Sequence, residues 1–114
     1  MEFKKQKTIY LQIADTLCER ILADEWKEDE RMASVRDVAA ELGVNPNTVL
    51  RTFDYLQEND IIFNRRGVGY FVSPKAKERI TKMQCDEFLQ VEWPAVLQKM
   101  QMLGLTLDDL PSNI

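Results

Sequence analysis

A helix stop, a tight turn and a helix start occur between residues 43 and 46, and they restrict the fold more than any other feature of this sequence. Gly43 stands where a helix can end in a left-handed residue, a conformation that glycine adopts at little cost. Asn45 is a preferred amino-terminal cap, and Pro46 suits the first helical position, where its missing N–H loses no hydrogen bond. The sequence therefore predicts two helices joined by a very short turn.

The helix before this turn is predicted to begin at Ser34. The side chain of Ser34 can accept a hydrogen bond from the third helical residue, where Asp37 can return the interaction as a short relative of the capping-box glutamate. Apolar residues recur at helical spacing and predict one buried stripe. The stripe consists of Val35, Val38, Ala39 and Leu42.

The helix after the turn has two faces of different chemistry. At 100° per residue, Val49, Phe53 and Leu56 lie on one side and are expected in the core. The opposite side carries Asn47 and Arg51 in its first half and acidic residues in its second half. Amide and guanidinium groups can pair with base edges or phosphates, but an ordinary solvated helix face is polar as well. The pattern favours a recognition helix that enters the DNA major groove by its first turns.

Two short apolar runs follow, separated by a tip that contains glycine. Gly67 and Gly69 allow the positive φ that a tight hairpin needs. Arg65 and Arg66 come just before the tip, and the hairpin contains no acidic residue. A basic hairpin beside a helix-turn-helix is typical of a wing that touches the DNA backbone or minor groove. The predicted fold class is mainly α with a small β-ribbon, a winged helix-turn-helix.

Further helical patterns flank this motif. Residues 8–23 predict a helix that begins with Thr8 as its cap and covers the helix-turn-helix. Trp26 is expected where this helix meets the ribbon. Pro74 divides the chain into a DNA-binding domain, residues 1–74, and a helical dimerisation tail, residues 75–114.

The tail helix, predicted to reach about residue 103, is expected to kink or split near Glu92 because of Pro94. Its apolar stripe needs a cover, which can be either the winged domain or a second copy of the chain. Pairing of two copies is favoured, because helix-turn-helix proteins commonly act as two-fold dimers. The stripe consists of Leu89, Trp93, Val96, Leu97, Met100 and Leu103.

The net charge of −4 argues against nucleic-acid binding, since DNA-binding domains are usually basic. Many acidic residues cluster within residues 24–30, a loop that we expect to lie away from the groove. The acidic balance supports an alternative function, a winged-helix module that binds protein and never touches DNA. DNA binding is favoured by the expected outward placement on one surface of Arg36, Asn47, Arg51 and Arg66.

The sequence predicts no catalytic site, cofactor or metal. It contains no histidine, and its two cysteines, Cys18 and Cys85, are far apart and are expected to be core or interface residues. No phosphate-binding loop, nucleophile elbow or carboxylate dyad occurs, so an enzyme is not expected. Residues 1–7 lack the apolar core of a signal peptide, and no apolar run is long enough to span a membrane. A cytoplasmic location is therefore expected.

Two runs carry a resemblance to a known family. They are Ser-Val-Arg-Asp-Val-Ala-Ala-Glu-Leu-Gly-Val-Asn-Pro-Asn-Thr-Val at residues 34–49 and Arg-Arg-Gly-Val-Gly-Tyr-Phe-Val at residues 65–72. They resemble the GntR family of bacterial transcriptional regulators, and the short chain with its helical tail resembles the YtrA-type subfamily. The resemblance implies a homodimeric regulator, expected to be a repressor, that acts on a palindromic operator in double-stranded DNA and controls a transporter operon. No small-molecule effector is identified.

The resemblance also implies which residues contact DNA. They are Arg36 on the first helix of the motif, the start and outer face of the recognition helix, and the wing tip. In three places the sequence departs from the family pattern: Pro46 replaces a common arginine, Ala33 replaces a proline, and residues 28–30 lack the usual Pro-Gly turn. With Arg65 added from the hairpin, the predicted DNA-binding residues are Arg36, Asn45, Asn47, Thr48, Arg51, Arg65, Arg66 and Gly67.

Overall fold

The computed structural model describes residues 7–112 of the 114-residue chain. Residues 1–6 and 113–114 lie outside this range, and with them most of the segment considered for a signal peptide and the outer ends of both predicted domains. The predicted fold class is confirmed, since helices dominate and two strands form an antiparallel ribbon. The elements are α1 (Ile9–Leu22), α2 (Val35–Leu42), α3 (Pro46–Glu58), β1 (Ile62–Arg65), β2 (Gly69–Val72), α4 (Ala76–Glu87), a π-helical segment (Phe88–Glu92), α5 (Trp93–Leu103) and a 3-10 turn (Leu107–Asp109).

The turn between α2 and α3 has the predicted chemistry. Ser34 and Asp37 form a reciprocal capping box, in which the Asp37 N–H donates to Ser34 Oγ at 3.1 Å. Gly43 ends α2 in the left-handed region with a φ of 67°. The side chain of Asn45 caps α3 by accepting from the Asn47 N–H at 2.7 Å, and the proline that follows opens the helix. These local predictions are confirmed.

The chain divides into two compact units, the first ending at Ile80 and the second beginning at Thr81. In the first unit, α1 packs on α3, as predicted for a helix that covers the motif. The rings of Phe53 and Tyr70 meet edge to face, with centroids 4.7 Å apart, and join α3 to the ribbon. The largest fully buried side chains of this core are Leu17, Cys18, Ile21, Val38, Val49, Thr52, Phe53, Leu56, Ile61, Ile62, Val72 and Ile80.

Two helix predictions are wrong in detail. Leu42 was expected in the buried stripe but is exposed, because it is the last residue of α2 and the chain reverses direction immediately after it. Thr8 stands at the cap position of α1, yet its side chain makes no capping hydrogen bond. Its backbone carbonyl instead accepts from the N–H groups of Leu11 and Gln12.

The ribbon is joined by a third, short extended segment. Arg65 pairs with Gly69 at the tip end of the two-stranded ladder. On the other side of β2, Arg31 forms an isolated antiparallel bridge with Phe71, and the Met32 N–H donates to the carbonyl of residue 70 at 2.9 Å. The acidic loop therefore ends as an edge strand of the wing, which its local sequence did not predict.

Asp29, and not a glycine, supplies the left-handed residue of the turn in this loop. Its φ is 65°, in the left-handed region that aspartate tolerates better than most residues. The Glu30 N–H donates to the Lys27 carbonyl at 3.0 Å and closes the turn. The loop thus reverses direction without the usual Pro-Gly pair.

The second unit contains the altered helix that Pro94 predicts. The break near Glu92 takes the form of a π-helical segment, and the Trp93 N–H donates to the Phe88 carbonyl. Proline lacks an N–H, and its ring would clash with the carbonyl four residues earlier in a regular α-helix, so the wider turn accommodates Pro94. The helix continues as α5 and ends at Gly104, whose φ is 71°.

Candidate nucleic-acid interface

The first turn of α3 presents a polar surface. Asn45 and Asn47 are exposed and Thr48 is half-buried. The side-chain oxygen of Asn45 accepts from the Asn47 N–H, and its NH₂ group can donate to a ligand. Pro46 is also exposed and offers no hydrogen-bond donor of its own.

The seven arginines of the chain fall into two groups. Arg20 and Arg79 form ion pairs, Arg20 with Glu25 and Glu41, and Arg79 with Asp60. The hydrogen bonds that Arg20 donates to the Glu25 carboxylate raise the pKa of Arg20. The other five arginines have no carboxylate partner among residues 7–112, although acidic residues outnumber basic ones in the sequence. These unpaired arginines are Arg31, Arg36, Arg51, Arg65 and Arg66.

Two of the unpaired arginines lie on one face of the wing. The Cζ of Arg65 is 4.8 Å from the centroid of Phe71 and stacks on its ring. Arg31 crosses Gly69 so closely that a Cβ on this glycine would lie 2.8 Å from Arg31 Nε. Since residues 69 and 71 of a strand point to the same face, Arg31 and Arg65 belong to one basic surface.

The wing tip has the geometry that its two glycines predict. The Val68 N–H donates to the Arg65 carbonyl at 2.8 Å, which closes a four-residue turn. Gly67 occupies this turn with a φ of 78°, and Arg66 and Gly67 are both exposed. The tip therefore offers a guanidinium and an accessible backbone segment to a partner.

A helical wheel suggests that Arg51 projects freely from α3, but in the structure it does not. Its Cζ lies 4.0 Å from the ring centroid of Tyr10 on α1, although the residue remains exposed. Arg36, on α2, is exposed as well. The structure thus brings all the predicted DNA-binding residues into the first unit.

Arg31 belongs to this group although the sequence did not predict it. The residue precedes the helix-turn-helix and lies in an acidic segment, so no local pattern associates it with the wing. The association depends on pairing between residues 31 and 71. No local pattern indicates the contact between Tyr10 and Arg51 either, because it joins two helices.

The predicted dimerisation residues belong to the second unit and differ in exposure. Leu89, Val96, Leu97 and Leu103 are exposed, and Trp93 is half-buried. Met100 is buried within the single chain, at 7% exposure, and is therefore largely covered without a second copy. Other large apolar side chains of the unit are also exposed, namely Phe88, Val91, Met102, Leu105, Leu107 and Leu110.

The two cysteines differ in accessibility. Cys18 is fully buried in the core, as expected, and burial raises its pKa to about 12. Cys85 is exposed on α4. Within residues 7–112 we find no group of three or more side chains placed to hold a metal ion. In the same part of the chain, every helix is too short or too polar to cross a bilayer.

Comparisons with known proteins identify the family. Residues 9–72 match the family described as bacterial regulatory proteins, gntR family. The uncharacterized HTH-type transcriptional regulator YhcF of Bacillus subtilis is 33% identical, over 99% of this chain and 92% of its own length. The HTH-type transcriptional repressor YtrA of the same organism is 34% identical over 65% of this chain and 57% of its length.

Solved structures agree with the sequence comparisons. A crystal structure described as a GntR-family transcriptional regulator of Bacteroides thetaiotaomicron has a TM-score of 0.73 and 39% identity, covering 90% of this chain and 88% of its own. The fold is thus shared along nearly the whole chain. The chain belongs to the GntR family of DNA-binding transcriptional regulators and is similar to YtrA.

Proposed function

We propose that this regulator is a cytoplasmic homodimeric repressor that binds a palindromic operator, with a transporter operon as its target. The similarity to YtrA, which is named a repressor, supports repression. The resemblance to the YtrA-type subfamily supports the transporter target. The proposed division of labour is that residues 1–74 read DNA and residues 75–114 hold two copies together.

The observation that carries the DNA-binding proposal is the distribution of unpaired arginines. In a chain with a net charge of −4, an arginine without a carboxylate partner is an available positive charge. All five such arginines lie between residues 31 and 66, in or beside the helix-turn-helix and the wing. Guanidinium groups bind phosphates and guanine edges in bidentate fashion, so DNA is the partner that this arrangement suits best.

We assign the predicted contacts to different parts of the operator. The amino-terminal turn of α3, with Asn45, Asn47 and Thr48, is proposed to meet base edges in the major groove. Arg36 and Arg51 are proposed to contact a base or a phosphate near this turn. The wing residues Arg65, Arg66 and Gly67 are proposed to contact the backbone or minor groove, and Arg31 extends their basic surface.

The dimer proposal rests on the apolar surface of the second unit. A monomeric protein rarely exposes so many large apolar side chains in a segment of this length. Two copies related by a two-fold axis would cover Leu89, Val96, Leu97 and Leu103 against the same surface of the partner. The two recognition helices would then meet half-sites about one helical turn, roughly 34 Å, apart or a multiple of this distance.

The acidic balance of the chain favours a second candidate function, a winged-helix module that binds protein without binding DNA. The two functions predict different effects when arginines are replaced. A protein-binding module would keep its partner when Arg36 and Arg66 are replaced, whereas a DNA reader would lose its target.

Selection of binding sites from random double-stranded DNA with the full chain tests the proposal. We expect enrichment of sequences that contain two inverted half-sites at fixed spacing. Enrichment of single half-sites would contradict dimeric binding, and no enrichment at all would favour the protein-binding module. A reporter gene with the selected site between promoter and start codon then tests repression, which should be relieved when the regulator is absent.

A further inference from the structure

Arg51 rests on the aromatic ring of Tyr10, which stands in the first turn of α1. The guanidinium carbon lies 4.0 Å from the ring centroid, and the arginine remains exposed. An aromatic ring beneath a guanidinium attracts the charge and covers one face of the planar group. The N–H donors point outward in the plane of the guanidinium, so they stay available to an acceptor.

The ring of Tyr10 is itself held by α3. Thr52, which is fully buried, donates from Oγ1 to the Tyr10 carbonyl at 2.7 Å. The ring also meets Tyr55 edge to face, with centroids 6.1 Å apart and planes at 80°. Residues 51, 52 and 55 thus each contact Tyr10 from α3. These contacts restrain Tyr10 relative to the helix whose arginine its ring supports.

We propose that Tyr10 is a positioning residue for operator recognition, whose ring holds the Arg51 guanidinium in place before DNA arrives. The proposal rests on the proposed DNA contact of Arg51. A long side chain loses rotamer freedom when it binds, and one that is already stacked loses less, so preorganisation tightens binding. Tyr10 need not touch the DNA to have this effect.

The test is a double-mutant cycle in the full chain, measured with the operator recovered by in vitro selection. Tyr10→Phe keeps the ring and should bind within about two-fold of the parent. Tyr10→Leu removes the ring and should bind about two- to five-fold more weakly, the effect of an exposed cation–π contact. Adding Tyr10→Leu to Arg51→Ala should cause no further loss, because no guanidinium remains to be positioned.

The outcomes separate this proposal from the proposed function. If Arg51→Ala binds as tightly as the parent, the positioning proposal fails, while the variants of Arg36 and Arg66 still test DNA binding. If Arg51→Ala weakens binding but Tyr10→Leu does not, Arg51 contacts DNA without help from Tyr10. If Tyr10→Leu weakens binding equally with and without Arg51, its role is merely structural and the proposal is overturned.

The stacking of Arg51 on Tyr10 is checked by a measurement that needs no DNA. In the parent, the ring current of Tyr10 should shift the Arg51 Nε–H resonance upfield, and Tyr10→Phe should keep this shift. A parent resonance at the position of a freely solvated arginine would refute the stacked arrangement. If Tyr10→Leu does not fold, Tyr10→Met, which also lacks a ring, replaces it in the cycle.

Discussion

The substitution Leu97→Glu should separate the proposed dimer into monomers. Leu97 is 39% exposed in the single chain, so pairing can bury about two fifths of a side chain whose full burial contributes roughly 1.5–3 kcal/mol. In a two-fold dimer the change occurs twice, and the apolar loss alone is about 1–2 kcal/mol. Each glutamate carboxylate also loses its hydrating water at the interface without gaining a hydrogen-bond partner. This desolvation adds at least about 1–3 kcal/mol per copy to the free-energy cost of dimerisation. A total near 4 kcal/mol weakens association roughly a thousand-fold.

Analytical ultracentrifugation over a range of concentrations measures this effect. We expect the parent to be dimeric at micromolar concentration and Leu97→Glu to be monomeric under the same conditions. Met102→Glu is the matched control, since Met102 is 81% exposed and lies about 140° from Leu97 around the same helix. It introduces the same charge into α5 on the opposite side and should leave the dimer intact.

Three results would refute the reasoning. A monomeric parent would mean that the apolar surface of the second unit has another role. A Leu97→Glu variant that dimerises normally would place the interface elsewhere. Equal dissociation by Leu97→Glu and Met102→Glu would show that added negative charge, and not loss of the apolar stripe, separates the copies.

Three further predictions concern DNA contact and the thiols. Arg36→Ala should weaken operator binding by about 1–3 kcal/mol if the arginine pairs with a base. Arg79→Ala, which removes an ion-paired arginine, should weaken it much less. Equal losses in a binding titration would show that the effect comes from net charge alone. Arg66→Ala should reduce the steepness of log affinity against log salt concentration by about 1. An unchanged slope would show that the wing tip does not contact the DNA backbone. Native protein at pH 8 should react with a thiol reagent at exposed Cys85 and not at Cys18, because burial raises the pKa of Cys18 to about 12; two rapidly reacting thiols would contradict the buried core position.

The turn between α2 and α3 could be predicted because each of its interactions joins near neighbours in the chain. A capping box spans three residues, and a left-handed glycine needs only its own backbone freedom. Ser34, Gly43 and Asn45 therefore have the geometry that their sequence positions indicate. The core face of α3 was predictable for a similar reason, since helical periodicity separates Val49 and Phe53 from the polar side.

What the sequence did not predict depends on contacts between distant residues. Arg31 reaches the wing through pairing with Phe71, forty residues later, and the pairing partner of an edge segment is not encoded locally. The contact between Arg51 and Tyr10 requires α1 to pack across α3. Met100 has the periodicity of an interface residue, but the single chain already buries it. Periodicity identifies an apolar face without identifying its cover.

The proposed dimerisation through the tail and the unpaired arginines both help an acidic protein to bind DNA. An acidic protein gains little from long-range attraction to DNA, since charges beyond about 8–10 Å are screened at physiological salt. Within that distance, an arginine without a carboxylate partner can still replace counterions on a phosphate, so local contacts survive the unfavourable net charge. A few such contacts in one copy give weak binding. Holding two copies at a fixed spacing makes the second half-site contact intramolecular, which can raise affinity by about 10²–10⁴. The monomeric Leu97→Glu variant should therefore lose the operator although all its arginines remain.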